Sequence, residues 1–203
     1  MIKVAIAEDQ TLVLGALSAL LELDGRFEVI KQCVDGQALL DFIAQAPKNK
    51  QPDIVLTDIE MPLVTGIQVA ESLRDNTQIK IVIMTTFARA GYIRRAMDAG
   101  VKGIVLKEAP SDYLIESLQK VLDGECVIDS ELALMALDDI DPLTAKERNA
   151  LKLASDGLKT TEIASKLFLS EGTVRNYLSE AIAKLNATNR IDAARIARQK
   201  GWL

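Results

Sequence analysis

Short apolar segments alternate with amphipathic ones over the first 122 residues, and this alternation limits the folds open to the chain. It predicts five strands, at 2–7, 27–33, 53–57, 79–84 and 103–106. It also predicts five helices, at 10–23, 36–45, 67–74, 91–99 and 111–122. Strands joined in sequence by helices form a parallel sheet with helices on both faces. We therefore predict a doubly wound α/β domain with a five-stranded parallel sheet, and we expect Ser111 to cap its last helix.

The pattern becomes purely helical after Pro142. Four amphipathic segments predict helices, at 145–155, 161–168, 171–185 and 190–200. The stretch between the two patterns holds Gly124, a run of acids at 138–141 and Pro142, and its segment 130–137 is compatible with a short helix. We therefore predict an α/β domain at 1–122, a linker at 123–142 and an all-α four-helix domain at 143–203.

Charge is divided unevenly between these regions. Residues 1–140 hold 13 basic and 22 acidic side chains, whereas residues 141–203 hold 11 basic and 7 acidic ones. This difference indicates a polyanion as the partner of the second domain only. The chain contains no histidine, which excludes histidine-dependent nucleophilic catalysis and histidine-ligated metals. Its two cysteines lack the CxxC spacing, so we expect reduced structural thiols.

The hydropathy pattern argues against a membrane protein. No apolar run approaches the length of about 20 residues that a membrane span needs. The N-terminal run at 2–7 is too short for a signal peptide, and two acids follow it at once. We therefore predict a cytoplasmic location and no membrane insertion.

Four predicted strands end in charged or hydroxyl side chains. These are Glu8 and Asp9 after the first strand, Asp58 after the third, Thr85 after the fourth and Lys107 after the fifth. Ligands of doubly wound sheets bind beyond the carboxyl ends of the strands, so these groups should share one rim. Three carboxylates favour a hard divalent ion such as Mg²⁺, and one carboxylate could attack a phosphoryl group. Taken singly, Asp9 is compatible with a helix cap, and Lys107 with a surface lysine.

The strings DIVLTDIEMP at 53–62 and AMDAGVKGIVLK at 96–107 resemble the receiver domain of two-component response regulators. The resemblance covers the whole first half and implies a flavodoxin-like fold. It implies that Asp58 is the phosphoacceptor and that Mg²⁺ is the cofactor. The implied metal ligands are Glu8, Asp9, Asp58 and the backbone carbonyl of Glu60. The implied phosphoryl contacts are the switch hydroxyl of Thr85 and the ammonium group of Lys107.

Two positions depart from the receiver pattern. Ile104 stands three residues before Lys107, where many receivers carry an aromatic residue. The usual inward swing of a ring therefore does not carry over, and we expect Ile104 to repack as Thr85 moves. Glu108 and Ala109 separate Lys107 from the next proline, which implies a different shape for this loop.

Local signals in the second domain indicate a helix-turn-helix. Thr144 and Glu147 have the spacing of a capping box, and Gly157 is placed to end that helix. Ser170 is placed to cap the helix at 171–185. Four residues recur on one face of that helix and are expected to be buried: Val174, Leu178, Ile182 and Leu185.

Residues 143–197 resemble the LuxR-type helix-turn-helix, in which the helix at 171–185 reads DNA. The resemblance implies base contacts from Arg175, Asn176 and Ser179, and Thr173 lies on the same polar face of the helix and is also expected to contact DNA. It implies phosphate contacts from Lys159, Thr160, Thr161 and Lys184. For each of these residues, a solvated polar face remains the alternative. The last helix carries Ile191 and Ala194, which the family uses for dimerisation and which are also compatible with packing inside the domain.

The two resemblances together imply a regulator of the NarL/FixJ class, which is not an enzyme. A sensor histidine kinase would phosphorylate Asp58, and phosphorylation would promote a homodimer that binds double-stranded promoter DNA. The segments 85–107 and 201–203 further resemble DesR-type regulators. Those regulators pair with a membrane thermosensor kinase and control fatty-acid desaturase expression, which implies membrane-lipid genes as targets.

Two other functions are compatible with the same residues. The first domain could be an interaction module of a transcription factor that works without phosphorylation. Alternatively, Asp58 could be the nucleophile of a Mg²⁺-dependent phosphohydrolase, with Glu60 as its general acid. The sequence around Asp58 is not a phosphatase DxD string, and the DNA-binding half has no role in such an enzyme.

Overall fold

The computed structural model describes residues 1–86, 90–129, 132–134 and 141–203, and for Ala90 the backbone only. The chain divides into two compact units, one built around a parallel sheet and one built from helices. Within the described ranges, no helix combines the length and the apolar character that a membrane span requires.

The first unit contains a parallel sheet with one strand more than predicted. Its strands are β1 (Ile2–Ala7), β2 (Phe27–Cys33), β3 (Ile54–Asp58), β4 (Lys80–Thr85), β5 (Gly103–Leu106) and β6 (Val127–Ile128). Its helices are α1 (Thr11–Asp24), α2 (Gly36–Gln45), α3 (Gly66–Ser72), α4 (Ala90–Asp98) and α5 (Ser111–Leu122). The strand order is β2-β1-β3-β4-β5-β6. The predicted α/β class and its five strands are confirmed, and the order reverses beside β1 and β3, where ligands of such sheets bind.

A hydrophobic core packs α1 and α5 against one face of the sheet. It includes Leu21 from α1, Leu118 from α5 and the strand residues Ile6, Leu56 and Val82, all nearly inaccessible to solvent. Because β1, β3 and β4 are buried along almost their whole length, their carboxyl ends are held in fixed positions. This rigidity is what allows residues from distant parts of the sequence to form one site.

The sixth strand lies inside the segment predicted as a linker. Gly124 turns the chain after α5 with a φ of 94°. The backbone N–H of Val127 then donates to the carbonyl oxygen of Lys102 at 2.9 Å, and β6 pairs with β5 in parallel. A strand of two residues carries too short a pattern to be recognised from sequence. Of the predicted helix at 130–137, residues 132–134 are helical and the others lie outside the described residues.

The start of α5 also differs from the prediction. Ser111 is the first helical residue, and Pro110 takes the cap position, where no side chain accepts a hydrogen bond. The predicted cap by Ser111 was therefore wrong. Pro110 has φ −56° and ψ 147°, so its fixed φ and extended ψ set the entry into the helix instead.

The two cysteines lie in different environments. Cys33 is buried at the end of β2, and burial raises the pKa of its thiol. Cys126 is exposed and directly precedes β6. Both are free thiols.

The second unit contains α6 (Ala145–Ser155), α7 (Thr160–Leu167), α8 (Glu171–Lys184) and α9 (Arg190–Gln199). The Thr144–Glu147 capping box, the left-handed Gly157 and the Ser170 cap are present as predicted. Three of the four apolar residues expected on the inner face of α8 are buried, and Ile182 is half-buried. Trp202, the single tryptophan of the chain, also packs into this core.

Candidate functional site

The carboxyl ends of β1, β3 and β5 bring three charged side chains together. The ammonium group of Lys107 lies 2.7 Å from a carboxylate oxygen of Glu8 and 3.0 Å from one of Asp58. All three side chains are nearly buried; Asp58 is 8% exposed. Glu8 and Asp58 are 50 positions apart in the sequence, and Asp58 and Lys107 are 49 apart. The parallel sheet brings all three together in space. The predicted convergence at one rim is therefore present.

Backbone groups hold Asp58 from its own strand and loop. Its second carboxylate oxygen accepts a hydrogen bond of 2.7 Å from the N–H of Ile59. The hydroxyl of Thr57 donates to the backbone carbonyl of Asp58 at 3.0 Å. These bonds leave the carboxylate in one orientation, with one oxygen on Ile59 and the other on Lys107.

Gly66, at the start of α3, approaches the backbone of Asp58 more closely than any other residue type could. A Cβ atom on Gly66 would lie 2.0 Å from the carbonyl oxygen of Asp58. The N–H of Gly66 donates to the carbonyl oxygen of Ile59 at 3.0 Å, which closes the loop between β3 and α3. Gly66 was not among the predicted site residues. The only sign of its role in the sequence is that a glycine stands in the loop eight residues after Asp58.

Burial raises the pKa of both Glu8 and Asp58, although Lys107 opposes the shift by hydrogen bonding to each of them. The negative charges of Asp58 and Asp9 add to the effect on Glu8 and Asp58 respectively. The pKa of Lys107 is raised, because its bonds to the two carboxylates outweigh the opposing effect of burial. When Glu8, Asp9 and Asp58 are all ionised, their three negative charges face the single positive charge of Lys107.

Glu8, Asp9 and Asp58 form a cluster that could hold a metal ion. One carboxylate oxygen from each lies within 4.8 Å of the other two. Three carboxylate oxygens this close together suit a hard divalent ion of the Mg²⁺ type. Asp9 and Glu60 are exposed, so the cluster is open to solvent on the side where a ligand would enter.

The remaining predicted residues of this pocket lie on β4 and β5. Thr85 is buried at the end of β4, and its carbonyl oxygen accepts the backbone N–H of Lys107 at 2.9 Å. Ile104 is buried on β5 opposite Ile83. Thr85 and Lys107 are thus joined by a backbone hydrogen bond between neighbouring strand ends.

Asp58→Asn is expected to make the protein more stable at neutral pH without divalent ions. The pKa of Asp58 is higher in the folded protein than its ordinary value of 3.8. The protonated side chain therefore stabilises the fold fully below pH 3.8, and this contribution is lost as the pH rises through the folded-state pKa. The stability advantage of Asp58→Asn should therefore be present at pH 7 and disappear as the pH falls toward 4. Urea denaturation followed by far-UV circular dichroism, in EDTA at several pH values, measures it. A less stable Asp58→Asn variant at pH 7 would contradict the pKa direction.

The second unit places the predicted DNA-contact residues at its surface. Arg175, Asn176 and Ser179 are exposed on α8, and Lys159 and Thr161 are exposed at the start of α7. Two further residues, Thr160 and Thr173, are half-buried. The hydroxyl of Thr173 lies 2.9 Å from that of Ser170, which caps α8. The Thr173 hydroxyl is therefore hydrogen-bonded within the helix cap.

Lys184 has a protein partner that the sequence analysis did not foresee. Its ammonium group lies 2.9 and 2.8 Å from the two carboxylate oxygens of the buried Glu147, which also completes the capping box at the start of α6. The pair joins the first helix of the unit to the end of α8. The Lys184 side chain is still about one third exposed, so its contact with a DNA phosphate stays a prediction. The two residues are 37 positions apart, and no periodicity connects them.

Lys184→Met should destabilise the second unit by about 1–3 kcal/mol, because a buried carboxylate loses its charged partner. The pKa of Glu147 is lowered, since its bonds to Lys184 and Thr144 outweigh the opposing effect of burial. The contribution of the pair is therefore present at neutral pH and lost as the pH falls below the ordinary glutamate value of 4.5. Urea denaturation followed by Trp202 fluorescence measures the loss. Lys166→Met, at an exposed position of α7, is the control, and an equal effect of both substitutions would contradict the structural role.

The predicted dimerisation residues of α9 differ in burial. Ile191 is 75% exposed, whereas Ala194 is 4% exposed and packs into the core of its own unit. Ala194 thus contributes to intradomain packing, and its part in dimerisation stays a prediction. Ile191 lines an open cleft of about 650 Å³ together with Arg190, Arg195 and Arg198.

Two families match the two parts of the chain. The response regulator receiver domain matches residues 4–119, and the luxR family of bacterial regulatory proteins matches residues 141–197. The transcriptional regulatory protein DesR of Bacillus subtilis strain 168 is 45% identical over 202 residues, which cover all of this chain and 99% of DesR. YvfU, an uncharacterised transcriptional regulatory protein of the same strain, is also 45% identical, over the whole of both chains.

A solved structure shows the same architecture. The response regulator ChrA of a heme-sensing two-component system is 28% identical and superimposes with a TM-score of 0.57, covering all of this chain and 98% of ChrA. The predicted likeness to DesR-type regulators is confirmed, and YvfU is equally similar. The chain therefore belongs to the NarL-type two-component response regulators, with a receiver domain followed by a LuxR-family DNA-binding domain.

Proposed function

We propose that a sensor histidine kinase phosphorylates Asp58 and that this modification controls promoter binding by the second unit. The observation that carries the proposal is the setting of Asp58, which lies 3.0 Å from the ammonium group of Lys107 and beside the carboxylates of Glu8 and Asp9. An oxygen of Asp58 would bond to phosphorus while the bond from phosphorus to the imidazole nitrogen of the kinase breaks. With double-stranded DNA as a partner, the protein would work in the cytoplasm.

Glu8, Asp9, Asp58 and the backbone carbonyl of Glu60 would hold Mg²⁺. The three side-chain ligands are supported by the spacing of their oxygens and by the charge of the cluster, in which three carboxylates face the one ammonium group of Lys107. When bound, Mg²⁺ supplies charge that offsets the carboxylates and the oxygens of the transferred phosphoryl group. Lys107 supplies a second positive charge from the protein itself.

The response to phosphorylation would begin at Lys107 and Thr85. An aspartyl phosphate carries about −1.5 to −2 charges where the ionised carboxylate carried −1, so the site gains up to about one negative charge. Lys107, now shared between Glu8 and Asp58, would turn toward the new charge, and the hydroxyl of Thr85 would donate to a phosphoryl oxygen. Buried Ile104 would repack beside Thr85, without an aromatic ring to swing. Only contacts that differ between the two states can shift their populations, and these are the contacts that change.

DNA binding would use the exposed surface of α7 and α8. Arg175, Asn176 and Ser179 would approach base edges in the major groove, since arginine and asparagine pair with guanine and adenine edges there. Lys159, Thr160 and Thr161 would contact phosphates from the start of α7, and Lys184 would do so from the end of α8. A homodimer that uses Ile191 and Ala194 of α9 would present two such surfaces to two half-sites.

Mass spectrometry tests the phosphorylation step. The wild-type protein, Asp58→Asn and a wild-type sample in EDTA are each incubated with acetyl phosphate and Mg²⁺, and the adduct is mapped by peptide digestion. We expect one phosphoryl adduct, on Asp58, in the wild-type sample with Mg²⁺ alone. The absence of an adduct with acetyl phosphate and with candidate kinases would overturn the proposal.

Further measurements separate the alternative functions. DNA affinity and light scattering, with and without phosphodonor, should show tighter binding and a dimer only for the phosphorylated wild type. Equal affinity of wild type and Asp58→Ala in both conditions would instead favour a phosphorylation-independent transcription factor. Sustained turnover of a phosphate ester would favour a phosphohydrolase. Equal identity to DesR and YvfU does not select a target, so desaturase and other membrane-lipid genes remain a prediction.

A further inference from the structure

Phe168 combines two unfavourable features at the turn between α7 and α8. Its ring is 94% exposed to solvent. Its backbone is in the left-handed region, with φ 55° and ψ 44°. Among the described residues, only Leu63 and Asn186 share a positive φ without being glycine, and asparagine tolerates this conformation well. A bulky side chain there is disfavoured, because its Cβ crowds the backbone.

The turn itself does not need the phenyl ring. The N–H of Leu169 donates to the carbonyl oxygen of Ala164 at 2.9 Å, and the N–H of Phe168 donates to that of Ser165 at 3.4 Å. This is the Schellman pattern, whose left-handed position is usually glycine. Leu167 and Leu169, on either side, pack against the core and anchor the turn. The ring of Phe168 therefore contributes little to the fold, and a backbone outlier of this kind points to a function.

The position of Phe168 indicates what the ring contacts. It stands two residues before Ser170, the cap of α8, and three before Glu171, the first residue of that helix. Three residues span at most about 11 Å. In a helix-turn-helix, the first residues of the second helix enter the major groove. Phe168 is thus close to the first turn of the helix that carries Arg175 and Asn176.

We propose that Phe168 is a DNA-contact residue whose ring packs on an apolar group of the DNA, a thymine methyl or a deoxyribose, flanking the bases read by α8. The proposal rests on the proposed DNA-binding function and extends it to a residue without hydrogen-bonding groups. A phenyl ring can contact a thymine methyl group in the major groove, and it carries no charge for phosphates. Phe168 would therefore add sequence preference or fit without adding salt dependence.

The test compares Phe168→Gly with Asn186→Gly in the full-length, acetyl-phosphate-treated protein. Asn186 is exposed and has φ 50°, so its substitution makes the same kind of backbone change at the end of α8 without removing a ring. A random duplex library is first enriched with the wild-type protein, and affinities for the selected duplex are measured by fluorescence anisotropy over a series of salt concentrations.

We expect Phe168→Gly to melt at or above the wild-type temperature, because glycine relieves the left-handed backbone. We expect its affinity for the selected duplex to fall about tenfold. Its salt slope should be unchanged, since no charge is removed. Asn186→Gly should bind like the wild type. Replacing flanking thymines with deoxyuracil should weaken the wild type if the ring contacts a methyl group, and leave it unaffected if the ring contacts deoxyribose.

Three results would overturn the proposal. If a well-folded Phe168→Gly variant binds DNA with wild-type affinity, the ring does not contact the DNA. Wild-type affinity together with lost activation of transcription in vitro assigns the ring to a protein partner instead. Failure of the wild-type protein to enrich any sequence overturns the proposed sequence-specific DNA binding, and the Phe168 proposal with it.

Discussion

Gly66→Ala is expected to reduce phosphorylation of Asp58 by acetyl phosphate by about 100-fold, the cost of misplacing a reactive group by about 1 Å. The new Cβ would lie 2.0 Å from the carbonyl oxygen of Asp58, so either the backbone of β3 or the start of α3 has to move. Such overpacking is also expected to cost about 1–3 kcal/mol of stability or more. The rate is measured by intact-mass spectrometry over time, and the stability by urea denaturation.

Gly15→Ala is the matched control for this substitution. Gly15 lies inside α1, and a Cβ there meets no atom within 4 Å. The change should leave phosphorylation unaffected and stabilise the helix by about 0.5–1 kcal/mol. Phosphorylation of Gly66→Ala at the wild-type rate would mean that the loop adjusts without moving Asp58, contrary to our account of the pocket.

Lys107→Met is expected to destabilise the receiver domain by about 3–5 kcal/mol at neutral pH in EDTA, because it leaves two buried carboxylates without their shared cation. The loss should shrink as the pH falls and Glu8 and Asp58 become protonated, since burial already raises both pKa values. Urea denaturation followed by far-UV circular dichroism measures it. Mg²⁺ should recover part of the stability, which gives a second readout of the metal site.

Two controls identify the source of this effect. Lys102→Met changes an exposed lysine just before β5 and should cost little. Combining Lys107→Met with Asp58→Asn removes one of the two unpaired charges, so the double variant should be more stable than the sum of the single effects predicts. Additive effects would show that Lys107 does not act through Asp58.

The sequence predicted the acidic pocket because its geometry follows from topology. Glu8, Asp58 and Lys107 each end a strand of a parallel sheet, and parallel strands place their carboxyl ends on the same rim. The choice of Asp58 as phosphoacceptor needed the family resemblance, since the strand ends alone do not distinguish it from Asp9. The bonds from Ile59 and Thr57 come from the loop backbone and have no sequence signal.

Other features depend on tertiary contacts that no local pattern records. The ion pair of Glu147 and Lys184 joins two helices that are far apart in sequence, so the partner of Lys184 could not be predicted. Ala194 is a small apolar residue, which suits both a domain core and a dimer interface. Its burial in the domain core depends on tertiary packing and could not be predicted from its residue type. Phe168 was expected to be the last residue of a helix at 161–168, because nothing in its side chain indicates a left-handed turn. β6 was missed because two residues are too few to show the alternation of apolar and polar side chains that marks a strand.

The different burial of the two thiols gives the chain one position for selective labelling. Thiolate reagents require access to the sulfur, which Cys126 provides and Cys33 does not. A maleimide fluorophore or spin label should therefore attach at residue 126 alone in the native protein. That residue sits directly before β6, which is held to the sheet by pairing with β5. A label there would report detachment of β6 from β5. The protein with its two natural cysteines would be sufficient, and no cysteine would have to be added or removed.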